Sequence, residues 1–453
     1  MVNYDLIVVG SGFTGCITTL NFLETGKKLD KNRRVALIEV GKEGERCGAS
    51  RWKMAYLRLD KDLAFDSDRK HEMALASNGL ADHSYCATLE REAQATAKYV
   101  GEHGVKFNHH DEENVLLEFK TDQHFVFPEG GGKAIIDCLI GHIEEYKNAE
   151  IHSETEARYL LTDKRGGYQG LARYVGRRTH ELPLIAPGLK YNRRAGLNMA
   201  LEVGASTAGS FDGMHCELVD TRAAKPDAVI WDHNYGIVVN EHCKRFYDEG
   251  KRHLFATFEM IALELWRDHN QKGFFITDEP IMKRFRPGWA YDTTDQEPET
   301  ADTTRELVEK LKVEPDALEA TVKEFNKACN DKPFDLMKLD GKATTGLNPN
   351  KTNRANPINT PPFCGYPVTS HLTFTYDGIT TNNEAQVLST NEVPIPGLWA
   401  AGELSGIFYN EYPPATSILR SLTFGRLAGT KIAEQLGSKS WIQSAANTVR
   451  SEL

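Results

Sequence analysis

The apolar and polar positions at the start of the chain predict a strand, a glycine turn and a helix, followed by a second strand. Residues 4–9 form a mostly apolar run that leads directly into Gly-Ser-Gly-Phe-Thr-Gly at 10–15 and then into a helix-like stretch at 16–23. A second apolar run at 34–38 ends at Glu39, 24 residues past Gly15. In this order the backbone N–H groups at the start of the helix can meet a pyrophosphate, and the acidic residue can bind ribose hydroxyls. This pattern predicts a dinucleotide-binding βαβ unit.

The hydrophobic pattern changes several times in the rest of the chain. Residues 60–125 alternate charged and apolar positions at helical spacing, which predicts surface helices. The glycine run at 130–132 opens a predicted helix over 134–146, and a hairpin is predicted at 157–175. Near the C-terminus, residues 395–403 read as a strand followed by glycine, and a helix rich in small residues is predicted from Ser417 to about Leu436.

The middle of the chain has a different character, with more aromatic residues, histidines and mixed charges and no glycine motifs. Helices are predicted at 253–270 and 303–328, and residues 341–362 read as an exposed loop. This contrast predicts a segment inserted into a dinucleotide-binding domain. The predicted boundaries are 1–210 for the first part of that domain, 211–371 for the insertion and 372–453 for the C-terminal part.

Length and composition narrow the class of protein. The chain has 453 residues, enough for two domains, and its 40% hydrophobic and 26% charged residues are typical of a soluble globular protein. A formal net charge of −10 argues against a nucleic-acid surface. No run approaches the roughly 20 apolar residues that span a bilayer, and the first strand begins too early to leave room for a signal peptide. We therefore expect a cytoplasmic protein that acts on a small molecule, with no nucleic-acid partner and no membrane span.

Cysteine and histidine spacing gives no sign of a metal site. The eight cysteines are scattered without a CxxC pair, which is typical of reduced thiols in a cytosolic enzyme. His109 and His110 stand beside an acidic run at 111–113, a pattern more typical of a solvated loop than of metal ligands. The sequence predicts no metal.

Taken together, the two ends of the chain resemble the fumarate reductase/succinate dehydrogenase flavoprotein superfamily. The likeness is closest to tricarballylate dehydrogenase-like FAD-dependent oxidoreductases and more distant to 3-ketosteroid dehydrogenases. The segments that carry it lie at 47–51, 130–134, 236–240, 244–249, 394–403, 409–413 and 424–429. The resemblance implies an α/β fold, with a Rossmann-type FAD-binding domain of the GR2 type and an inserted α+β capping domain over the flavin.

The resemblance also implies which residues hold FAD. The implied contacts are Gly10, Gly12, Phe13, Thr14, Gly15, Glu39, Ser50, Gly402, Glu403, Ser417, Ile418 and Leu419. No histidine stands within 46–53 to anchor the flavin covalently, so the expected FAD is non-covalent. In this interpretation Glu403 accepts hydrogen bonds from ribityl hydroxyls, and the start of the last helix favours negative charge at the pyrimidine edge of the flavin.

One element of the resemblance is missing. Members of the superfamily continue after the hairpin into a strand that ends in Gly-Gly near the dinucleotide. Here the chain runs through 176–185 to Pro187 and Gly188 without such a motif, and about twenty residues are absent by comparison. Either the gene model is truncated at this point or the sheet is remodelled, and whether FAD binding survives the loss stays open.

The inserted segment supplies the candidate catalytic residues. His215 and His371 correspond in the resemblance to histidines that hold a dicarboxylate in fumarate reductases. The position of the proton-handling arginine falls on His253, with Arg252 beside it, and the ordinary pKa of histidine suits His253 to acid–base work. Tyr412 stands where fumarate reductases carry a substrate-clamping arginine and where ketosteroid dehydrogenases carry a tyrosine. This replacement argues against a dicarboxylate held at both ends.

The predicted activity is an FAD-dependent dehydrogenation or reduction of a C=C bond conjugated to a carbonyl or carboxylate group of a small organic substrate. The first alternative is a non-redox isomerase or cyclase on a flavoprotein scaffold, with FAD lost or only structural, and a non-catalytic binding protein is the second. Direct use of NAD(P)H is less favoured, because the inserted segment has no second glycine motif. Substrate identity, reaction direction, electron acceptor and oligomeric state stay open.

Overall fold

The first sheet forms as the apolar runs predict. The computed structural model describes residues 3–65, 69–109, 126–158, 160, 181–252, 257–283, 294–335, 338–413 and 415–436. Strands β1 (Leu6–Val9), β2 (Val35–Ile38) and β5 (Ala149–His152) make a parallel sheet in the order β1-β2-β5. Helix α1 (Phe13–Lys28) connects β1 to β2, so the predicted βαβ unit is confirmed.

Helices cover this sheet. Their bounds are α2 Arg69–Ala76, α3 His83–Glu102 and α4 Gly131–Glu144, with the hairpin β3 Phe107–His109 and β4 Val126–Pro128 between α3 and α4. The predicted helix over 134–146 therefore starts three residues earlier, within the glycine run. Most of the predicted hairpin at 157–175, and residues 110–125, lie outside the described residues.

Strand β1 has a free edge in the described part of the chain. It pairs with β2 on one side, and no described strand pairs with its other side. The side chains of Ile7 and Val9, which share one face of the strand, are 54% and 52% exposed. These two exposed apolar residues line the cavity described below.

The inserted segment builds a second, antiparallel sheet. Its strands are β7 Met214–Asp220, β8 Ile237–Asn240, β9 Gly273–Asp278, β10 Glu299–Ala301 and β11 Phe363–Thr375. The order is β10-β11-β9-β8, and the long strand β11 also pairs with β7. The helices of this part are α6 Phe258–Asp268, α7 Glu279–Met282, α8 Thr304–Leu311 and α9 Pro315–Ala328. The helical stretches predicted at 253–270 and 303–328 are thus confirmed over most of their length.

Residues 341–362 do not form the exposed loop that the sequence predicts. The side chains of Lys351 and Arg354 are fully buried. The Lys351 ammonium donates hydrogen bonds to the carbonyl oxygens of Asn234 and Gly236, 2.7 and 2.5 Å away. The prediction was wrong because a loop without periodicity can still be buried when its polar groups find backbone partners.

The C-terminal helix returns to the first domain. Short elements precede it: α5 Ala195–Glu202, β6 Thr207–Ala208, β12 Gly378–Ile379, β13 Gln386–Leu388 and β14 Pro394–Trp399. Helix α10 (Ser417–Gln435) then packs along α1, at the position that the sequence predicts. A Cβ at Gly425 would lie 2.6 Å from Ile17 Cγ2, and one at Gly429 would lie 2.6 Å from the Thr18 carbonyl oxygen. The two helices can therefore approach this closely only because these positions are glycine. Within the residues described, no helix is long and apolar enough to cross a membrane.

Candidate functional site

The turn between β1 and α1 is open on the side where a phosphate would lie. Gly10 has a φ of +95°, and a Cβ added there would meet nothing within 4 Å. A Cβ on Gly15 would instead overlap the Gly10 carbonyl oxygen, 1.8 Å away. Glu39 is buried at the end of β2, and its carboxylate accepts hydrogen bonds from the Ser11 and Gly41 N–H groups at 3.0 and 2.6 Å. The residues fit a dinucleotide, with free N–H groups for the pyrophosphate and a fixed carboxylate for the ribose.

The loop after residue 46 forms a second wall against this turn. A Cβ on Gly12 would lie 3.3 Å from Ser50 Oγ. On the far side of the loop, a Cβ on Gly132 would lie only 2.0 Å from the Ser50 carbonyl oxygen. The Gly132 N–H donates to the Lys53 carbonyl oxygen at 2.7 Å. The glycine run that opens α4 therefore holds Ser50 next to Gly12.

The C-terminal segment forms a third wall. Gly402 has a φ of +75° and packs against Thr14, where a Cβ would lie 2.5 Å from Thr14 Oγ1. Glu403 accepts a hydrogen bond from Asn192 Nδ2 at 3.2 Å, and burial raises the pKa of its carboxyl group. A left-handed backbone at Gly402 thus brings the strand-and-glycine segment onto the first turn of α1.

Tyr412 caps the start of α10. Its phenol oxygen accepts hydrogen bonds from the Thr416 and Ser417 N–H groups at 3.1 and 3.0 Å and lies 2.8 Å from Ser417 Oγ. The first intrahelical bond, from Arg420 N–H to the Thr416 carbonyl oxygen, is 2.9 Å long. The Ile418 N–H group precedes this bond, and Ile418 lines the cavity described below. The phenol therefore occupies part of the helix end that the sequence assigned to the flavin.

A single cavity of about 870 Å³ joins these walls to the inserted segment. Of the twelve residues predicted to hold the cofactor, all but Leu419 line it. Leu419 is buried in the core against α1 instead. His215 and Tyr412 line the same cavity, so the structure brings two of the predicted catalytic residues to the dinucleotide motif.

His215 is bonded on both sides. Its Nδ1 contacts a carboxylate oxygen of Glu259, and its Nε2 lies 3.0 Å from Glu217 Oε1. All three side chains are buried. Burial alone would lower the pKa of His215, but the hydrogen bonds to the two glutamates outweigh it and raise the pKa. Both ring nitrogens of His215 are therefore engaged by buried carboxyl groups, which favour its protonated form.

The chain of buried charges continues beyond Glu217. Lys53 Nζ lies 2.7 Å from Glu217 Oε2 and 2.6 Å from Asp227 Oδ1. Burial opposes ionisation of Glu217, yet the Lys53 and His215 charges lower its pKa. Asp227 has the opposite shift, because its burial outweighs the attraction of Lys53 and raises its pKa. Three carboxyl groups thus surround two cations at one end of the cavity.

Aromatic rings enclose this charged group. The ring centroids of Phe258, Phe374 and Tyr412 lie 4.8, 4.9 and 4.7 Å from that of His215. Glu259 connects the charged group to these rings. It accepts hydrogen bonds from the Tyr376 hydroxyl at 2.5 Å and from the Tyr412 N–H at 3.3 Å. The result is an apolar pocket whose polar groups are fixed in place.

The other predicted catalytic residues lie elsewhere. His371 stands opposite Glu217 in the pairing of β11 with β7 and does not line the cavity, and burial lowers its pKa to about 4. Arg252 is half exposed and donates to Glu411 Oε2 at 2.7 Å, also outside the cavity lining. His253 lies outside the described residues.

Sequence reasoning missed four members of the site: Lys53, Glu217, Asp227 and Glu259. One signal was available for Glu217, because alternate residues of a strand share a face and His215 is two positions away. Lys53, Asp227 and Glu259 come from three separate parts of the chain, and no local pattern predicts that they meet. Among the residues described, no cluster of His, Cys, Asp and Glu is suited to hold a metal ion.

Comparisons with known proteins agree with this geometry. A family model described as FAD binding domain matches residues 192–418. The chain is 30% identical over 271 residues to a 4-oxocyclohexanecarboxylate 2-dehydrogenase of Sinomonas cyclohexanicum, covering 54% of this chain and 46% of that protein. Curated relatives are longer overall, and the chain spans only 20% to 56% of the first three that it matches.

Solved structures share the fold at low sequence identity. An open conformation of a flavocytochrome c3 fumarate reductase superposes with a TM-score of 0.72 at 18% identity, over 95% of this chain and 78% of that one. A 3-ketosteroid-Δ4-(5α)-dehydrogenase from Rhodococcus jostii RHA1 gives 0.65 at 18% identity, over 95% and 96%. These likenesses confirm the predicted fold class.

Proposed function

This chain belongs to the FAD binding domain family, and we propose that it is an oxidoreductase that uses non-covalent FAD to form or reduce a C=C bond conjugated to a carbonyl or carboxylate group. The observation that carries the proposal is the shared cavity. It places Tyr412 and the aromatic pocket around His215 next to the dinucleotide motif. Bound FAD supplies the hydride acceptor or donor for such a reaction.

Each of the three walls of the cavity contributes residues that would bind a different part of FAD. The Gly10 N–H donates to the Ile38 carbonyl oxygen at 2.7 Å, so the Gly12 N–H at the start of α1 is the one that would meet the pyrophosphate. Glu39 would accept hydrogen bonds from the ribose hydroxyls. The N–H group of Ile418, which lines the cavity, would bind the pyrimidine edge of the flavin, where the positive end of α10 favours negative charge. Ser50 closes the wall beside Gly12.

Tyr412 is the group best placed to handle the substrate proton. Two backbone N–H groups at the helix end hold its oxygen and stabilise negative charge that develops there when its proton moves. Ser417 Oγ, 2.8 Å away, offers a partner for that proton. Arg252 and His371 do not line the cavity. If they take part in proton transfer, they act on it from outside the cavity lining.

The activities of similar proteins guide the choice of test substrates. They include a ring ketone dehydrogenase, a 3-oxosteroid 1-dehydrogenase and fumarate reductases. The holoprotein is mixed without oxygen with cyclic ketones, and the reduced holoprotein is mixed with the matching enones and with fumarate. The proposal predicts that at least one member of this panel changes the flavin absorption at 450 nm, roughly where oxidised flavins absorb. A holoprotein whose flavin responds to none of them in either direction would refute the proposed reaction.

A further inference from the structure

Arg420, on the first turn of α10, is a buried cation that lines the cavity. Only 2% of this residue is exposed. Its Nη1 donates a hydrogen bond to the Ser405 carbonyl oxygen at 2.9 Å, and its Nε has no acceptor. Its Cζ lies 4.4 Å from the centroid of the Phe408 ring, which is an uncharged partner. In the part of the chain that the structure describes, no carboxylate forms an ion pair with Arg420.

The surroundings of Arg420 carry little negative charge to balance it. Glu403 attracts Arg420 without forming an ion pair with it. Burial raises the pKa of the Glu403 carboxyl group, so this group ionises less readily than an exposed glutamate. The N–H groups at the start of α10 add positive charge on the same side of the cavity. This end of the cavity therefore has more positive than negative charge.

The charged group around His215 does not supply the missing negative charge. Its two cations are already bonded to carboxylates. Burial raises the pKa of Asp227, which favours the neutral form of the third carboxyl group there. Arg194, a further cation of the cavity wall, pairs with Asp377. Among the described residues, Arg420 is therefore the buried cation of the cavity wall that lacks a carboxylate partner.

An unpaired buried charge is costly, and an anion held in the cavity would offset that cost. Reduction of FAD by two electrons and one proton leaves one additional negative charge on the flavin ring system. The start of α10, where Arg420 lies two residues after Ile418, is the wall expected to bind the pyrimidine edge of the flavin. Charges act over several ångströms in a medium of low dielectric constant, so Arg420 can stabilise this negative charge without touching the flavin.

We propose that Arg420 is the counter-charge of reduced FAD in this cavity and makes the bound cofactor easier to reduce. The inference rests on the proposed function, because it concerns the cofactor of the same site. Arg420 changes the affinity for reduced FAD relative to oxidised FAD and does not bind the substrate. Its positive charge, rather than its shape, is the property that matters.

The test is the reduction potential of the bound FAD, measured against a reference dye during slow reduction by xanthine and xanthine oxidase. In Arg420→Gln we expect reduced FAD to lose about tenfold in affinity relative to oxidised FAD. For a two-electron couple this loss lowers the potential by about 30 mV. In Arg420→Lys, which keeps the charge, the potential should fall by less than half as much. A purely structural role would weaken the binding of both forms equally and would leave the potential unchanged.

Arg420→Met removes the charge with a different side chain and should give the same shift, so the test stands if one of the two neutral variants does not fold. Arg426→Gln is the matched control. Arg426 lies on the same helix, but it pairs with Glu92 at 2.8 Å and does not line the cavity, so its loss should leave the potential unchanged.

An unchanged or higher potential in the neutral variants of Arg420 would overturn the inference, and an equal fall in Arg420→Lys would do so as well. The measurement involves no substrate. The expected shift in a protein whose flavin responds to no member of the substrate panel would therefore refute the proposed reaction and leave the role of Arg420 standing. A protein that takes up no FAD would overturn both.

Discussion

Tyr412 has two roles, because it caps helix α10 and places its hydroxyl group at the cavity. Its ring packs against His215 and Phe374, and its oxygen accepts the N–H groups of Thr416 and Ser417 at the start of α10. A helix start is normally capped by a polar side chain just before it, and here a phenol four residues upstream of Thr416 takes that role. The same contact fixes the hydroxyl at the edge of the cavity.

Tyr412→Phe removes the cap while it keeps the ring. We expect the protein to lose about 1 kcal/mol of stability, as for other lost helix caps, and its rate of flavin reduction to fall about 100-fold or more. Thermal unfolding and anaerobic stopped-flow absorption measure the two effects. Tyr409→Phe makes the same chemical change at a partly exposed tyrosine outside the cavity lining and should alter neither. Full activity in Tyr412→Phe would exclude the phenol from proton transfer.

The titration of His371 makes the stability of the protein depend on pH. Burial lowers its pKa to about 4 in the folded protein, below the ordinary value near 6.5. Between these values the unfolded chain binds a proton that the folded chain does not, so stability falls as pH drops from about 6.5 to 4. The loss is about 1.4 kcal/mol per pH unit at its steepest. Urea unfolding measured across this pH range should show that the free energy of unfolding depends less steeply on pH in His371→Gln than in the wild-type protein. An equal dependence on pH in both proteins would contradict the burial of a neutral imidazole.

Among the secondary-structure elements, α1 and α10 pack against each other, and this contact positions two walls of the dinucleotide site. Gly425 and Gly429 let α10 approach α1, and this approach places the start of α10 beside the glycine turn that begins α1. The sequence predicted both helices to within a few residues, because their apolar spacing and flanking glycines are local signals. Their mutual packing was not predicted, since it depends on residues about 400 positions apart.

Gly425→Ala tests this packing. Its Cβ would lie 2.6 Å from Ile17 Cγ2 and 2.9 Å from the Thr14 carbonyl oxygen. We expect a loss of about 1–3 kcal/mol and weaker FAD binding, because the helices must move apart. Gly141→Ala, in the exposed part of α4 with nothing within 4 Å of the added Cβ, should instead gain about 0.5–1 kcal/mol. If the chemical unfolding midpoints of both variants moved in the same direction, the close packing of α10 on α1 at Gly425 would be contradicted.

At the scale of the whole molecule, two parts of the chain meet on one cavity. The sequence predicted the dinucleotide motif and twelve residues to hold the cofactor, and eleven of these twelve line the cavity. These predictions follow local glycine and strand patterns. It did not predict the group formed by Lys53, Asp227 and Glu259 around Glu217, because long-range folding alone brings them together. It also placed Arg252 and His371 as candidates for a cavity that neither of them lines.

Among the described strands, β1 pairs only with β2. Ile7 and Val9 are half exposed on the cavity side, next to the dinucleotide turn. The glycine turn, Glu39 and the C-terminal wall nevertheless keep their arrangement around the cavity. We therefore expect the chain to retain FAD although its sequence lacks the Gly-Gly motif.

The most direct measurement is an absorption spectrum of the purified protein, followed by heat denaturation and quantification of the released ligand. The account predicts an oxidised-flavin spectrum, with bands near roughly 375 and 450 nm, and FAD released at about one per chain. Release by heat alone would also show that the cofactor is not covalently attached. A colourless protein that takes up no FAD when it is added would contradict the claim and would favour a non-redox activity on this fold.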